Sequence, residues 1–309
     1  MFQLIPYDRV QTHFTENFDL PISTGTLTNF NRDAYDRLAI FEVLAKQCLT
    51  REAVVHADET GINVGGKRIW LHNASSAQWT LFHPHQKRGQ EAMDDIGVLA
   101  SFQGTLVHDH WKPYYRYGCT HALCNAHHLR ELNYAHEEDA QQWAKAMREL
   151  LLDLNEAVTA AGGVLVATDA ASWRRRYRRV LSKADKECPE PVASAGPPKR
   201  GRLKRSKSRN LLERLRDYED DVLRFMEHAE VPFTNNQGER DIRMTKVQQK
   251  ISGCFRSLDG AKVFCRIRSY LSTCRKNGVG IGEALECLFN DKWPVFIQSK
   301  LDDAVASAE

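Results

Sequence analysis

Ala53-Val54-Val55-His56-Ala57, ending at Asp58, and Gly104-Thr105-Leu106-Val107-His108, ending at Asp109, decide how this chain folds. Both are short apolar and β-branched runs, the composition of strands in a sheet. Between them, residues 67–72 and 79–83 give two more strands, with Gly65-Gly66 as the turn before them. Residues 122–124 give a fifth, and residues 88–99 read as a helix. Outside this block the apolar period is helical. Residues 7–18 form one amphipathic stretch, and a second helix runs over about 27–49 with Ser23 or Thr24 as its cap. A long helical tract covers 126–161. Further helices are expected over 211–227, after Thr234-Asn235-Asn236, over 261–274 and over 281–288. Strands framed by helices favour a mixed α/β layer with a helical insertion over a single bundle.

Composition sets the outer limits. A length of 309 residues suggests about two structural units, and 42% hydrophobic residues suffice for a sizeable core. No apolar run approaches the roughly 20 residues that span a bilayer. The N-terminus has neither a basic n-region nor an apolar h-region, so no signal peptide is expected. Eight cysteines are too sparse for a disulfide scaffold and read as reduced thiols of an intracellular protein.

The net charge of +3 conceals a strongly basic segment. From Arg174 to Arg209 there are 14 Lys or Arg residues against three acids, a local charge of +11, which leaves −8 for the rest. Arg174, Arg175, Arg176, Arg178 and Arg179 open the segment, and Lys199, Arg200, Arg202, Lys204 and Arg205 close it. With few apolar anchors, the segment is not expected to build a core of its own. Such asymmetry favours a polyanion partner; the plainer alternative is a solvated linker.

Two carboxylates at the ends of neighbouring strands repel one another unless a cation lies between them, so Asp58 and Asp109 suit Mg²⁺. Glu239, on a helix, is a third acid able to complete such a cage. The competing reading makes all three cap or turn acids. Arg240, Arg243, Lys246 and Lys250 follow Glu239 at near-helical spacing, a basic face that fits a phosphodiester but also an ordinary solvated flank. Asn235 and Asn236 are expected to cap that helix and so fix Glu239. Cys124 and His127 form a Cys-x2-His pair, which zinc would bind only with two more ligands. Cys119 and His121 are the nearest candidates. His56, His108 and His110 read as core or supporting residues, and Trp111 and Tyr114 as core residues or stacking platforms for an unpaired base.

Four ordered motifs carry a family resemblance. They are His56-Ala57-Asp58-Glu59-Thr60; His108-Asp109-His110-Trp111-Lys112-Pro113-Tyr114-Tyr115; Cys124-Asn125-Ala126-His127-His128-Leu129-Arg130-Glu131-Leu132; and Thr234-Asn235-Asn236-Gln237-Gly238-Glu239-Arg240-Asp241-Ile242-Arg243, followed by Lys250-Ile251-Ser252-Gly253-Cys254-Phe255-Arg256-Ser257. Over roughly residues 20–290 the chain resembles transposases of the IS66 family. The resemblance implies an RNase-H-like mixed sheet flanked by helices, with Asp58, Asp109 and Glu239 as an Asp-Asp-Glu triad. It further implies two Mg²⁺ or Mn²⁺ ions, with structural Zn²⁺ at Cys124 and His127 as a lesser expectation.

The domain organisation expected from it has five parts. Residues 1–50 are a helical remnant of an N-terminal DNA-binding region, shorter than usual for the family and compatible with part of a helix-turn-helix. Residues 51–125 begin the core, 126–230 form a helical insertion carrying the basic segment 174–209, 231–290 complete the core, and 291–309 are a tail. The implied activity is metal-dependent DNA strand cleavage and strand transfer. Alternatives are a metal-dependent nuclease without strand transfer, an inactive truncated DNA-binding remnant and, last, a zinc-organised structural protein. Implied partners are element-end and target DNA, further copies of the chain in a synaptic complex, and accessory element-encoded proteins. The implied location is the bacterial cytoplasm, at the nucleoid. Arg130 and the cations of both basic stretches, Arg240, Arg243 and Lys250 included, are the expected DNA contacts.

Overall fold

The computed structural model describes residues 3–191 and 203–306. Three helices lead in: α1 (Tyr7–Phe18), α2 (Thr24–Arg37) and α3 (Ala39–Arg51). The hairpin strands β1 (Val54–Val64), β2 (Lys67–Ser75) and β3 (Thr80–His85) follow, then α4 (Gln90–Ile96), β4 (Thr105–His108), a 3-10 turn at Lys112–Arg116 and β5 (Thr120–Leu123). Helices complete the chain: α5 (Asn125–Glu137), α6 (Gln142–Ala160), α7 (Ala167–Glu187), α8 (Lys207–Asp217), α9 (Glu219–Leu223), α10 (Asn236–Ser252), α11 (Leu258–Lys276), α12 (Ile281–Phe289) and α13 (Val295–Ala306). The strand order is β3-β2-β1-β4-β5, a mixed five-stranded sheet flanked by helices.

The chain forms two compact units. One comprises Met1–Leu106, Trp111–Thr120 and Asn236–Glu309; the other comprises Val107–His110 and His121–Asn235.

In the first unit β1 pairs antiparallel with β2, and β2 with β3. β1 does not end at Asp58 as its sequence suggests but runs six residues further, to Val64. Gly65 and Gly66 account for this: both have positive φ (55° and 81°), the two-residue turn that matches the twist of a hairpin. Pairing with β2 then holds Asp58-Glu59-Thr60-Gly61 extended despite their low strand propensity. Phe255, just past α10, extends the sheet beside the end of β1, donating to the Asn63 carbonyl at 2.9 Å. The outer edge of β3 is closed by α11: Thr273 and Ser269 hydroxyls accept from the Thr80 and Phe82 amides at 3.0 and 2.8 Å.

Each face of the hairpin sheet buries its own core. Ile62, Val64, Ile69, Leu71 and Phe82 pack with Ile242, Phe255 and Phe264 under α10 and α11. Ala57, Ala74 and Leu81 join Leu38, Phe41, Met93, Ile96 and Phe102 under α2, α3 and α4. Ser23 caps α2, its hydroxyl accepting from the Thr26 amide. The single helix expected over 27–49 is broken at Leu38, and the helix expected over 88–99 shortens to α4.

The second unit is helical, with Leu132, Trp143, Met147, Leu151, Tyr177, Leu181, Leu212 and Leu215 buried. The tract expected over 126–161 is two helices, α5 and α6, parted near Ala140, which has φ 54°. The helix expected over 211–227 begins earlier, as α8, and breaks into α9 and a 3-10 turn. The first half of the basic segment is no linker. It is the 21-residue α7, and it does contribute to a core, because Ala170, Tyr177, Leu181 and Ala184 recur on its buried face.

Candidate active site

Asp58 lies mid-strand on β1, half-buried, and its Oδ1 accepts the Glu59 amide at 2.9 Å. Its register partner on β2 is Asn73. Directly opposed residues of an antiparallel pair project to the same face, so Asp58 and Asn73 stand side by side under α10. The Asn73 amide donates to the carbonyl of Gly238 at 3.3 Å. That bond ties the first turn of α10 to the strand opposite Asp58, and Glu239 is the next residue. Glu239, like Asp58, is half-buried. The first unit therefore brings the first turn of α10, and Glu239 with it, over the face of the sheet that carries Asp58. Asn73 itself is buried, and its Oδ1 has no hydrogen-bond partner among the described residues. His56, two residues before Asp58 and so on the same face, is buried. Further along α10, Asp241 accepts from Lys276 Nζ at 2.8 Å; burial drives the Lys276 pKa down, against the pull of Asp241.

Sequence reasoning passed over Glu59. Its side chain is only 2% exposed and accepts Arg88 Nε and Nη2 at 2.8 and 2.6 Å and the Tyr114 hydroxyl at 2.6 Å. The Arg88 guanidinium lies over Trp70 and over Trp111, 4.8 and 4.4 Å from their ring centroids. Tyr114 is thus a buried hydrogen-bonding residue, not a stacking platform. The one signal available was the Asp58-Glu59 pair itself, since adjacent acids on a strand face opposite sides and need separate partners.

Asp109, Cys124, His127 and Arg130 belong to the second unit. Asp109 follows β4 and is half-buried. The residue before it, His108, is buried and lies 3.1 Å from His121, Nε2 to Nδ1. Burial, then the charges of His121 and His110, pushes its pKa well below the ordinary value. His110 has φ 72°, a conformation uncommon outside glycine, with its amide donating to His108 Nδ1 and its ring edge-on to Tyr218. The chain thus turns sharply just past Asp109. Cys124 precedes α5, and its sulfur lies within 4.8 Å of a ring nitrogen of His127. That sulfur also accepts the backbone amide of Asn235, the residue before α10, at 3.1 Å. Asn236 is the first residue of α10. Of the two nearest candidates for further zinc ligands, His121 meets His108 through its Nδ1, and burial raises the Cys119 thiol to about 11, which opposes the thiolate that zinc requires.

The cations separate by helical face. Arg174 and Arg178, one turn apart on α7, both bind Glu219; Arg174 also reaches Asp220 and Glu227 at 2.7 and 2.8 Å. Arg205 pairs with Glu190. Arg175, Arg176 and Arg179 are exposed, with Arg176 stacked on Trp173 at 3.9 Å, and Lys204 is exposed as well. Arg240, Arg243 and Lys250 are exposed along α10. Lys199, Arg200 and Arg202 lie outside the described residues.

The model of the transposase IS66 family matches residues 2–263, most of the chain. The chain belongs to the IS66 transposase family. No curated protein matches it significantly. Among the described residues, no helix is long and apolar enough to cross a membrane.

Proposed function

We propose that the chain performs metal-dependent cleavage and strand transfer of insertion-sequence DNA, with Asp58, Asp109 and Glu239 as its acidic triad. Family membership supports the DNA substrate. The observation that carries the chemistry is the Asn73 bond to Gly238, which keeps the helix turn of one acid over the strand of another. The strand order and flanking helices suit an RNase-H-like core, with the helical second unit as an insertion before Glu239.

The residues present fit a hard divalent cation. Carboxylate and amide oxygens are the donors that Mg²⁺ and Mn²⁺ prefer, and the buried Asn73 Oδ1 is an acceptor left unused among the described residues. Asp58, Asp109 and Glu239 would hold the ions. Such ions stabilise charge on phosphate oxygens and lower the pKa of an attacking hydroxyl. The remaining work falls to the chain. Asn73 orients the first turn of α10, and the exposed Arg240, Arg243 and Lys250 contact phosphates beside the acids and hold the backbone in line. Element-end and target DNA, a homo-oligomeric synaptic assembly and accessory proteins are the partners this reaction calls for, and the bacterial nucleoid is where it would occur.

The test is a joining assay with purified chain, a labelled pre-cut element end, a target plasmid and Mg²⁺ or Mn²⁺. Joined product that disappears with Asp58→Ala and with Glu239→Ala is the expected result. Cut ends that are never joined would replace transfer by simple nuclease action. Product that survives both substitutions would remove the triad.

A further inference from the structure

Within the second unit, α5 and α8 enclose a cavity of about 420 Å³ lined by Arg130, Tyr134, Lys207, Asn210 and Arg214, with Glu131 at its side. Its size is that of a small-ligand site. Cations enter it from both helices, and the single acid is already engaged, because Arg214 donates to Glu131. Tyr134 is the aromatic wall. It is 43% exposed, and Lys207 Nζ lies over one face of its ring, 4.7 Å from the centroid. Lys207 opens α8, where the helix dipole adds positive potential, and exposed Lys204 is just upstream.

From this placement we infer that the cavity binds one nucleotide of unpaired DNA, its base stacked on Tyr134 and its phosphate held by Lys207 and Arg130. The inference rests on the proposed DNA function and names a site for one part of it. A duplex presents a convex, stacked surface, and basic residues on open faces such as Arg175 and Arg179 suffice for its backbone. A concave site with an accessible ring suits a base that has left the stack. Asn210, which lines the cavity from α8, supplies a donor and an acceptor for the edge of such a base.

The experiment is fluorescence anisotropy with the full chain and a labelled 20-nucleotide strand, then with the same strand in a blunt duplex, across a salt series. Tyr134→Ala should weaken single-strand binding about 5- to 150-fold, the range for one base on an aromatic platform, and leave duplex binding within about twofold. Tyr134→Phe should bind like the parent. Lys207→Gln should reduce the single-strand salt slope by about 0.7, the loss of one phosphate contact. Melting curves check that the exposed positions leave folding intact. If the parent binds both DNAs and Tyr134→Ala binds the single strand equally well, the cavity is not the site, and the proposed function stands. Equal loss on both DNAs would overturn the inference in the same way. Failure of the parent to bind either DNA would overturn both.

Discussion

Asp58 and Glu59 are consecutive carboxylates on one strand, and the two faces of the sheet treat them in opposite ways. On the Glu59 face the charge is consumed: Arg88 and Tyr114 deliver three hydrogen bonds to a side chain that is almost wholly buried. On the Asp58 face the carboxylate stays half-accessible beside a buried amide with an unused oxygen, under the helix turn that carries Glu239. One face uses its acid to lock β1 to the 86–89 and 111–116 segments; the other leaves its acid half-exposed beneath α10. A carboxylate already saturated with donors has little affinity to offer a metal, so the proposed chemistry falls to Asp58 and not to Glu59.

The largest effect tests the open face. Asp58→Ala should reduce joining more than about 100-fold, the scale of losing a group that organises transition-state charge. Its stability should change by no more than about 1 kcal/mol. Glu59→Ala should do the reverse to folding, destabilising by about 2–4 kcal/mol in urea unfolding, because Arg88 and the Tyr114 hydroxyl lose their shared partner. The upper limit is tempered by Arg88, 39% exposed and partly rehydrated when released. If Glu59→Ala unfolds at the parent's midpoint while Asp58→Ala collapses, the assignment of the two faces is inverted.

Much of this contrast was legible in the residues, and some was not. The strand candidates at 53–58 and 104–109, the Gly65-Gly66 turn and the helix bearing Glu239 all follow from local pattern, because hairpin turns and apolar period are short-range. The extension of β1 past Asp58 was masked by the low strand propensity of Asp58-Glu59-Thr60-Gly61, which the Gly65-Gly66 hairpin overrides by pairing residues 59–64 with residues 67–72. The role of Glu59 was hidden because its partners lie 29 and 55 residues away. The Arg174–Arg179 run misled for a related reason. Summed charge ignores helical period, whereas Arg174 and Arg178 turn toward Glu219, 45 and 41 residues on. In the candidate site, Asp58 and Glu239 were recognisable as motif residues, but nothing local marked Asn73 as the link between their elements.

His72, the register partner of Glu59, sharpens the contrast through pH. Burial lowers its pKa to about 4, with the charges of His83, His85 and Arg88 acting the same way against a bond to the Lys87 carbonyl. In the unfolded chain the same ring titrates near 6.5. Between those values the unfolded state binds the extra proton, so stability is complete above about pH 6.5 and falls as pH drops toward 4. The loss should be about 1 kcal/mol at pH 5.5 and approach roughly 3 kcal/mol at pH 4. His72→Gln should flatten that slope in denaturation series; an unchanged slope would assign it to His83, His108 or His128, whose pKa values burial also depresses.

The smallest expected effect on folding is at Asn73, and it bears directly on the open face. Asn73→Ala removes two long bonds, to Gly238 at 3.3 Å and to the Ser75 hydroxyl at 3.4 Å, together with an unsatisfied oxygen, so losses and gain largely offset and stability should change by no more than about 1 kcal/mol. If Asn73 serves only packing, joining at saturating Mg²⁺ should then equal that of the parent. If it holds the turn of Glu239 over Asp58, joining should fall about 10-fold and the Mg²⁺ concentration for half-maximal activity should rise. Asn73→Asp discriminates further: it restores an oxygen donor near the proposed cation but cannot donate to Gly238. It should tighten the Mg²⁺ response without restoring full rate, because positioning of the α10 turn and affinity for the ion are separate contributions from the same side chain.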